Sequence, residues 1–201
     1  MKPRTLRIGT WNVQYAAGRE RNALRTERLR REPADVWILT ETHDDLDLSS
    51  SHSAVSTVQR PTGRAGGRWT TIWTRWPVLE VLPDAALVVA GDLNMSLGGK
   101  HYYGTKRGRA ALQQGLAELG LACATEWARL PSGLLTHSPI DHVVVPANWL
   151  PRTTVVDAWE GTDPAGQKLS DHSGLLVEVE LQYPLLPPFR PFRPSGHPSR
   201  S

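Results

Sequence analysis

Apolar positions along this chain fall into short runs, most of them with the period-two alternation of strands. Leu6 to Val13 (LRIGTWNV) alternates up to Asn12, which predicts a strand with a polar tip. Asp35 to Thr40 (DVWILT) reads as a buried strand with Glu41 directly after it. Ala54 to Gln59 and Arg68 to Trp76 predict neighbouring strands joined by the turn TGRAGG, with Trp69, Thr71 and Trp73 sharing a core-facing side. Val78 to Leu82, between Pro77 and Pro83, predicts an edge strand. Ala86 to Ala90 could be buried on both faces; the run breaks at Gly91 and then presents Asp92 and Asn94. Extended backbone would point those two side chains to one side, whereas a turn after the strand is the plainer alternative. Leu121 to Thr125, Ile140 to Val145, Thr153 to Trp159 and Leu175 to Leu181 read as further strands.

Two segments carry helical spacing. Arg19 to Glu32, stopped by Pro33, offers Ala23, Leu24 and Leu29 as apolar contacts. Its arginines are interleaved with Glu20, Glu27 and Glu32, as on a solvated face rather than a phosphate-binding patch. Arg109 to Leu119, with Ala110, Leu112, Leu116 and Leu119 at mixed three and four spacing, ends at Gly120.

At 201 residues the chain is long enough to bury one core, and eight tryptophans argue against a disordered chain. The net charge of +3 is local: Arg190, Arg193 and Arg200 lie in a C-terminal stretch without acidic residues. The body is near neutral, so charge alone does not indicate nucleic acid. A single cysteine, Cys123, excludes an internal disulfide, and no run is long enough to span a bilayer. The expectation is a cytoplasmic protein without membrane insertion. After Gln182 the composition shifts to proline and arginine. This divides the chain into a domain over 1–182 and an extended tail over 183–201, either solvated or docking a proline-recognising partner.

Candidate chemistry sits at the tips of the apolar runs: Asn12, Glu41, Asp92 with Asn94, Asp141, and Asp171 with His172. Hard oxygen donors without clustered Cys or His favour Mg²⁺ or Mn²⁺ over zinc. A histidine beside a carboxylate makes a general base, and Asn amides can donate to phosphate oxygens. Together they point to metal-assisted hydrolysis of a phosphate ester. Two other polar stretches are less specific. His43, Asp44, Asp45 and Asp47 read as a solvated acidic loop. The loop Gly98 to Gly108, with Lys100, His101, Tyr102, Tyr103, Lys106 and Arg107, could meet phosphate or a base, or be plain surface.

The order TWNVQ, LTE, GDLN, IDHV and SDHSG resembles the endonuclease/exonuclease/phosphatase superfamily over residues 6–180. That resemblance implies an α/β four-layer sandwich with two mixed central β-sheets flanked by helices. It implies Glu41 as principal metal ligand and Asp171 as a second carboxylate near the metal. Asn12 would position phosphate and metal, and Asp92 with Asn94 would support the attacking water and the transition state. His172 would be the catalytic histidine and Asp141 its orienting carboxylate, with His142 structural and His101 and His137 at the surface. Relative to the family, the chain is short between Glu41 and Asp92, which predicts that part of one sheet, a helix and one catalytic side chain are absent. The implied function is a divalent-metal-dependent phosphodiesterase or nuclease, with nucleic acid favoured over lipid or inositol phosphate. The alternative is a catalytically impaired member that binds a phosphorylated ligand or partner.

Overall fold

The computed structural model describes residues 4–15, 18–58, 65–77, 86–99 and 103–181. In chain order the elements are β1 (Arg4–Asn12), α1 (Arg19–Arg31), β2 (Val36–His43), β3 (Ser53–Ser56), β4 (Gly67–Thr74), β5 (Val89–Asp92), α2 (Lys106–Glu118), β6 (Leu121–Cys123), β7 (Asp141–Pro146), β8 (Thr153–Trp159) and β9 (Gly174–Leu181). Short 3-10 turns cover Trp127–Arg129 and Ala147–Arg152.

These strands build two sheets. The larger runs β3-β4-β2-β1-β9-β8 and is mixed, since β1 and β2 are parallel while every other neighbour is antiparallel. The smaller runs β5-β7-β6 and is antiparallel throughout. Alternation along the strands explains how they stack. Leu6 and Ile8 of β1 and Val177 and Val179 of β9 share one core with Val143 and Val145 of β7, so this cluster lies between the sheets. Trp11 of β1, Trp37 and Leu39 of β2 and Trp73 of β4 meet Leu29 of α1 in a second cluster on the outer side. Val144, between the two inward valines of β7, faces the other way and packs with Leu121, Cys123 and the α2 residues Leu112 and Leu116. The result is four layers: α1, the large sheet, the small sheet, α2. Each fully buried Val, Leu or Ile contributes roughly 1.5–3 kcal/mol.

Gly9 shows how tightly the outer aromatic layer sits on β1. A Cβ there would lie 2.0 Å from Trp37 Cζ3, so the indole occupies the space a side chain would take.

Several expectations change. Trp69 shares the face of Thr71 and Trp73 but is 52% exposed. It lies outside the cluster covered by α1, and its neighbour is Tyr15, edge-on at 5.7 Å. In α1, Ala23 is exposed while Asn22, Arg25 and Thr26 are buried. Helix α2 starts at Lys106, ahead of the expected Arg109, because the Thr105 hydroxyl accepts from the Gly108 N–H at 3.0 Å. Lys106 and Arg107 therefore belong to its first turn rather than to a loop. Leu119, just past its end, is exposed. The shortened second sheet matches expectation, with three strands against six among the described residues. The acidic loop is satisfied locally: Asp44 pairs with Arg68, Asp45 with His43, and Asp47 accepts from the Ser49 N–H. The strand expected over Val78 to Leu82, the loop residues Lys100 to Tyr102 and the tail over 183–201 lie outside the described residues. No helix among the described residues is long and apolar enough to cross a membrane.

Candidate active site

Strand direction brings the polar tips to one end. Asn12 closes β1 and pairs in register with Thr40 of parallel β2, one residue before Glu41. Strand β9 runs antiparallel to β1, so the loop before Gly174, which carries Asp171 and His172, opens at the same end. In the smaller sheet Asp92 ends β5 and Asp141 begins β7, directly opposite each other. The two sheets meet where Asn12 Nδ2 donates to Asp92 Oδ2 at 3.3 Å.

The centre is a histidine–carboxylate pair. His172 Nδ1 lies 2.6 Å from Asp141 Oδ2, which sets Nδ1–H as the donor and leaves Nε2 for chemistry. Burial pushes the Asp141 carboxyl up to about 6; the hydrogen bond and charge of His172 pull it down, and the Asp92 charge adds to the rise. For His172, burial favours the neutral ring. The hydrogen bond and charge of Asp141, with the charges of Asp92 and Asp171, outweigh it and raise the imidazole above its ordinary value. Asp92, Asp141 and His172 each offer a ligand atom within 4.8 Å of the others.

Around this group the other expected residues take distinct places. Asn12 is buried, and its Oδ1 accepts from the Gln14 N–H at 2.9 Å, which fixes the amide with Nδ2 toward Asp92. Asp171 is exposed, with Oδ1 3.7 Å from His172 Nε2. Glu41 stays outside the three-residue group. It is held at a positive φ of 52°, and its carbonyl accepts from the Tyr15 N–H, itself at φ 45°. Non-glycine residues in this region are strained, and the pair stands beside Asn12. Asn94 departs from the expected side-by-side arrangement. Strand β5 ends at Asp92, and Asn94 sits beyond it at φ 51°, exposed, with its backbone N–H on Asp92 Oδ1 at 2.8 Å. The aspartate closes an Asx turn, so it is the main chain of Asn94 that meets Asp92. His142 is buried between the Met95 carbonyl at 2.7 Å and the Thr125 hydroxyl at 3.2 Å, a structural role as expected, and His137 is exposed.

Sequence reasoning missed the residues that hold the His172 loop. Trp11 Nε1 donates to the His172 carbonyl at 3.0 Å. The Ser170 hydroxyl donates to the Asn12 carbonyl at 2.6 Å and accepts from the His172 N–H at 3.1 Å. Both lie inside the motifs TWN and SDH, so their neighbours were a usable signal.

The geometry can be set beside known proteins. The sequence matches the model of the Endonuclease/Exonuclease/phosphatase family over residues 9–172. The chain belongs to this family. Membership places it among hydrolases of phosphate esters. No curated protein matches the sequence. Solved structures share the fold. An endonuclease/exonuclease/phosphatase family protein from Bacteroides thetaiotaomicron superposes with TM-score 0.60 at 14% identity, covering 91% of this chain and 100% of its own. A 3′-5′ exonuclease from Neisseria meningitidis gives 0.57 at 16%, covering 88% and 100%. An AP endonuclease from Archaeoglobus fulgidus gives 0.56 at 14%, covering 86% and 98%. Asn12, Asp92 and Asp141, expected from the sequence, fall at the strand ends where the two sheets meet.

The donor set also fits a metal of the family's kind. Among the described residues Asp141 Oδ1 is buried with no hydrogen-bond partner, and the neighbouring donors are the Asp92 carboxylate, the His172 imidazole and the Asn12 carboxamide rather than thiolates. Such a set suits a hard divalent cation.

Proposed function

We propose that this protein is a divalent-metal-dependent phosphodiesterase acting on nucleic acid. One observation carries the reading: a buried Asp141 holds His172 by Nδ1 within the same 4.8 Å group as Asp92. His172 Nε2 is then the atom that takes a proton from water as the water attacks phosphorus. Asp141 keeps the ring in the right tautomer and stabilises the imidazolium that forms. Asn12 Nδ2 donates toward the negative charge gathered at this end. Asp92, Glu41 and Asp171 would hold Mg²⁺ or Mn²⁺, which when bound would stabilise charge on the phosphoryl oxygens.

Nucleic acid is favoured over lipid or inositol phosphate because an exonuclease and an AP endonuclease are among the structural neighbours. This is support by likeness of fold. A cytoplasmic location fits the single buried thiol, Cys123. The competing reading, a member that binds a phosphorylated ligand without turnover, rests on the short connection between Glu41 and Asp92. A hydrolysis screen over plasmid DNA, abasic DNA, RNA and phospholipid with Mg²⁺, Mn²⁺ or EDTA separates the two. Metal-dependent cleavage of a nucleic acid is expected; turnover of none of the four supports the binding reading.

A further inference from the structure

Helix α1 carries six arginines, and five of them either stand exposed, as Arg19, Arg21, Arg30 and Arg31 do, or, like the half-buried Arg28, pair with carboxylates. Arg25 does not. Its residue is 1% exposed, in the same range as the core tryptophans. Among the described residues no carboxylate pairs with it; burial, with the charge of Arg21, pulls its pKa down to about 10. Removing a guanidinium from water without a counter-ion is costly. Burial by itself therefore gives no reason for an arginine here.

Its hydrogen bonds supply one. Arg25 Nε donates to the Leu169 carbonyl at 2.8 Å, Nη2 donates to the same oxygen, and Nη1 reaches Asn22 Oδ1 at 3.3 Å. Leu169 opens the stretch LSDHS, three residues before His172. The backbone that follows is anchored at several points as well. The N–H groups of Leu169 and Ser170 both donate to the Gly161 carbonyl, at 2.7 and 2.9 Å. The Ser170 hydroxyl bridges the Asn12 carbonyl to the His172 N–H, and the Trp11 indole holds the His172 carbonyl. The helix is itself pinned on the sheet nearby: Arg28 lies over the Trp159 ring at 4.1 Å and pairs with Asp157 at 2.6 Å. Arg25 is the only one of these anchors that reaches the loop from α1 through charge-assisted bonds, which are roughly twice as strong as neutral ones.

We propose that Arg25 is a positioning residue that ties α1 to the loop carrying His172 and so sets the imidazole against Asp141. It touches neither substrate nor reacting atoms; it acts through the Leu169 carbonyl. The kinetic half of the assignment rests on the hydrolase reading of the same site, whereas the structural half does not.

The experiment reads both in Arg25→Met and Arg25→Lys. In metal-free wild-type protein, the His172 Nδ1–H held by Asp141 gives a downfield imidazole proton resonance. Arg25→Met loses that resonance while keeping the cooperative thermal melt, and on a nucleic-acid substrate its kcat falls about a hundredfold, the order expected when a catalytic group is misplaced by an ångström, with KM unchanged. Arg25→Lys keeps a charge but offers one prong instead of two, so it broadens the resonance and lowers kcat less. If Arg25→Met does not fold, Arg25→Lys carries the test by the same resonance. A folded variant of either kind with an unchanged resonance and unchanged kcat overturns the assignment. A wild-type protein that hydrolyses nothing, while Arg25→Met still loses the resonance, sinks the proposed reaction and leaves the anchor standing.

Discussion

Asp92 and Asp141 form a registered pair across the β5–β7 ladder, one ending β5 and the other beginning β7. Like charges set opposite each other oppose the fold, and here the Asp92 charge contributes to the raised pKa of Asp141. A cation between the sheets would relieve that repulsion. Mn²⁺ at a hundred times its Kd should stabilise the wild-type protein by about 2.7 kcal/mol through mass action alone. Thermal melts with Mn²⁺ and after EDTA check this. Asp92→Asn and Glu41→Gln should each show a smaller shift, with calorimetric affinity weakened by at least about tenfold. An unchanged affinity in Glu41→Gln would remove Glu41 from the metal site.

The Asp141–His172 contact sets the direction of the pH dependence. Asp141 raises the His172 pKa, and burial alone would lower it. A raised imidazole pKa means that the base is protonated, and activity lost, as pH falls through a value above the usual 6.5. Asp141→Asn removes the largest raising influence and leaves burial opposed only by the charges of Asp92 and Asp171, so the acid limb of the kcat profile should move to lower pH. The same substitution also frees the ring to take the wrong tautomer, which in triad enzymes costs about 10⁴ in kcat. A pH–rate series on the wild type and this variant measures both; an acid limb that moves upward would contradict the assignment of roles.

Gly161 bounds the other side of the His172 loop. A Cβ there would stand 2.1 Å from the Ser170 carbonyl oxygen and 2.8 Å from that of His172, both backbone atoms that cannot swing away. Gly161→Ala should therefore displace the loop and cost on the order of 1–3 kcal/mol as overpacking. Its melting temperature and kcat should fall together, unlike Arg25→Met, whose melt stays cooperative. A melt equal to wild type would show that the loop yields without cost.

Much of this was legible in the chain, because period-two alternation reports burial directly. Leu6 and Ile8 against Trp11, or Val143 and Val145 against Val144, separate onto two faces as their spacing requires. The polar tips converge because strand ends are where a buried run must meet water. What pattern could not supply was tertiary choice. Trp69 has the spacing of a core residue but is exposed, edge-on to Tyr15 rather than in the cluster that meets α1. Arg25 looks like its five neighbours in the sequence, and only the distant Leu169 carbonyl distinguishes it. Asn94 fitted an extended strand by spacing, but the Asp92 carboxylate captured its N–H and turned the chain.

The most direct test compares wild type and His172→Ala on whichever nucleic acid the wild type cleaves, in Mn²⁺ and in EDTA. A general base contributes about 10² to 10⁴ in rate, so His172→Ala should lose at least a hundredfold in kcat, and EDTA should abolish cleavage by the wild type. Equal rates for the two proteins, or wild-type cleavage that survives EDTA, would contradict the account.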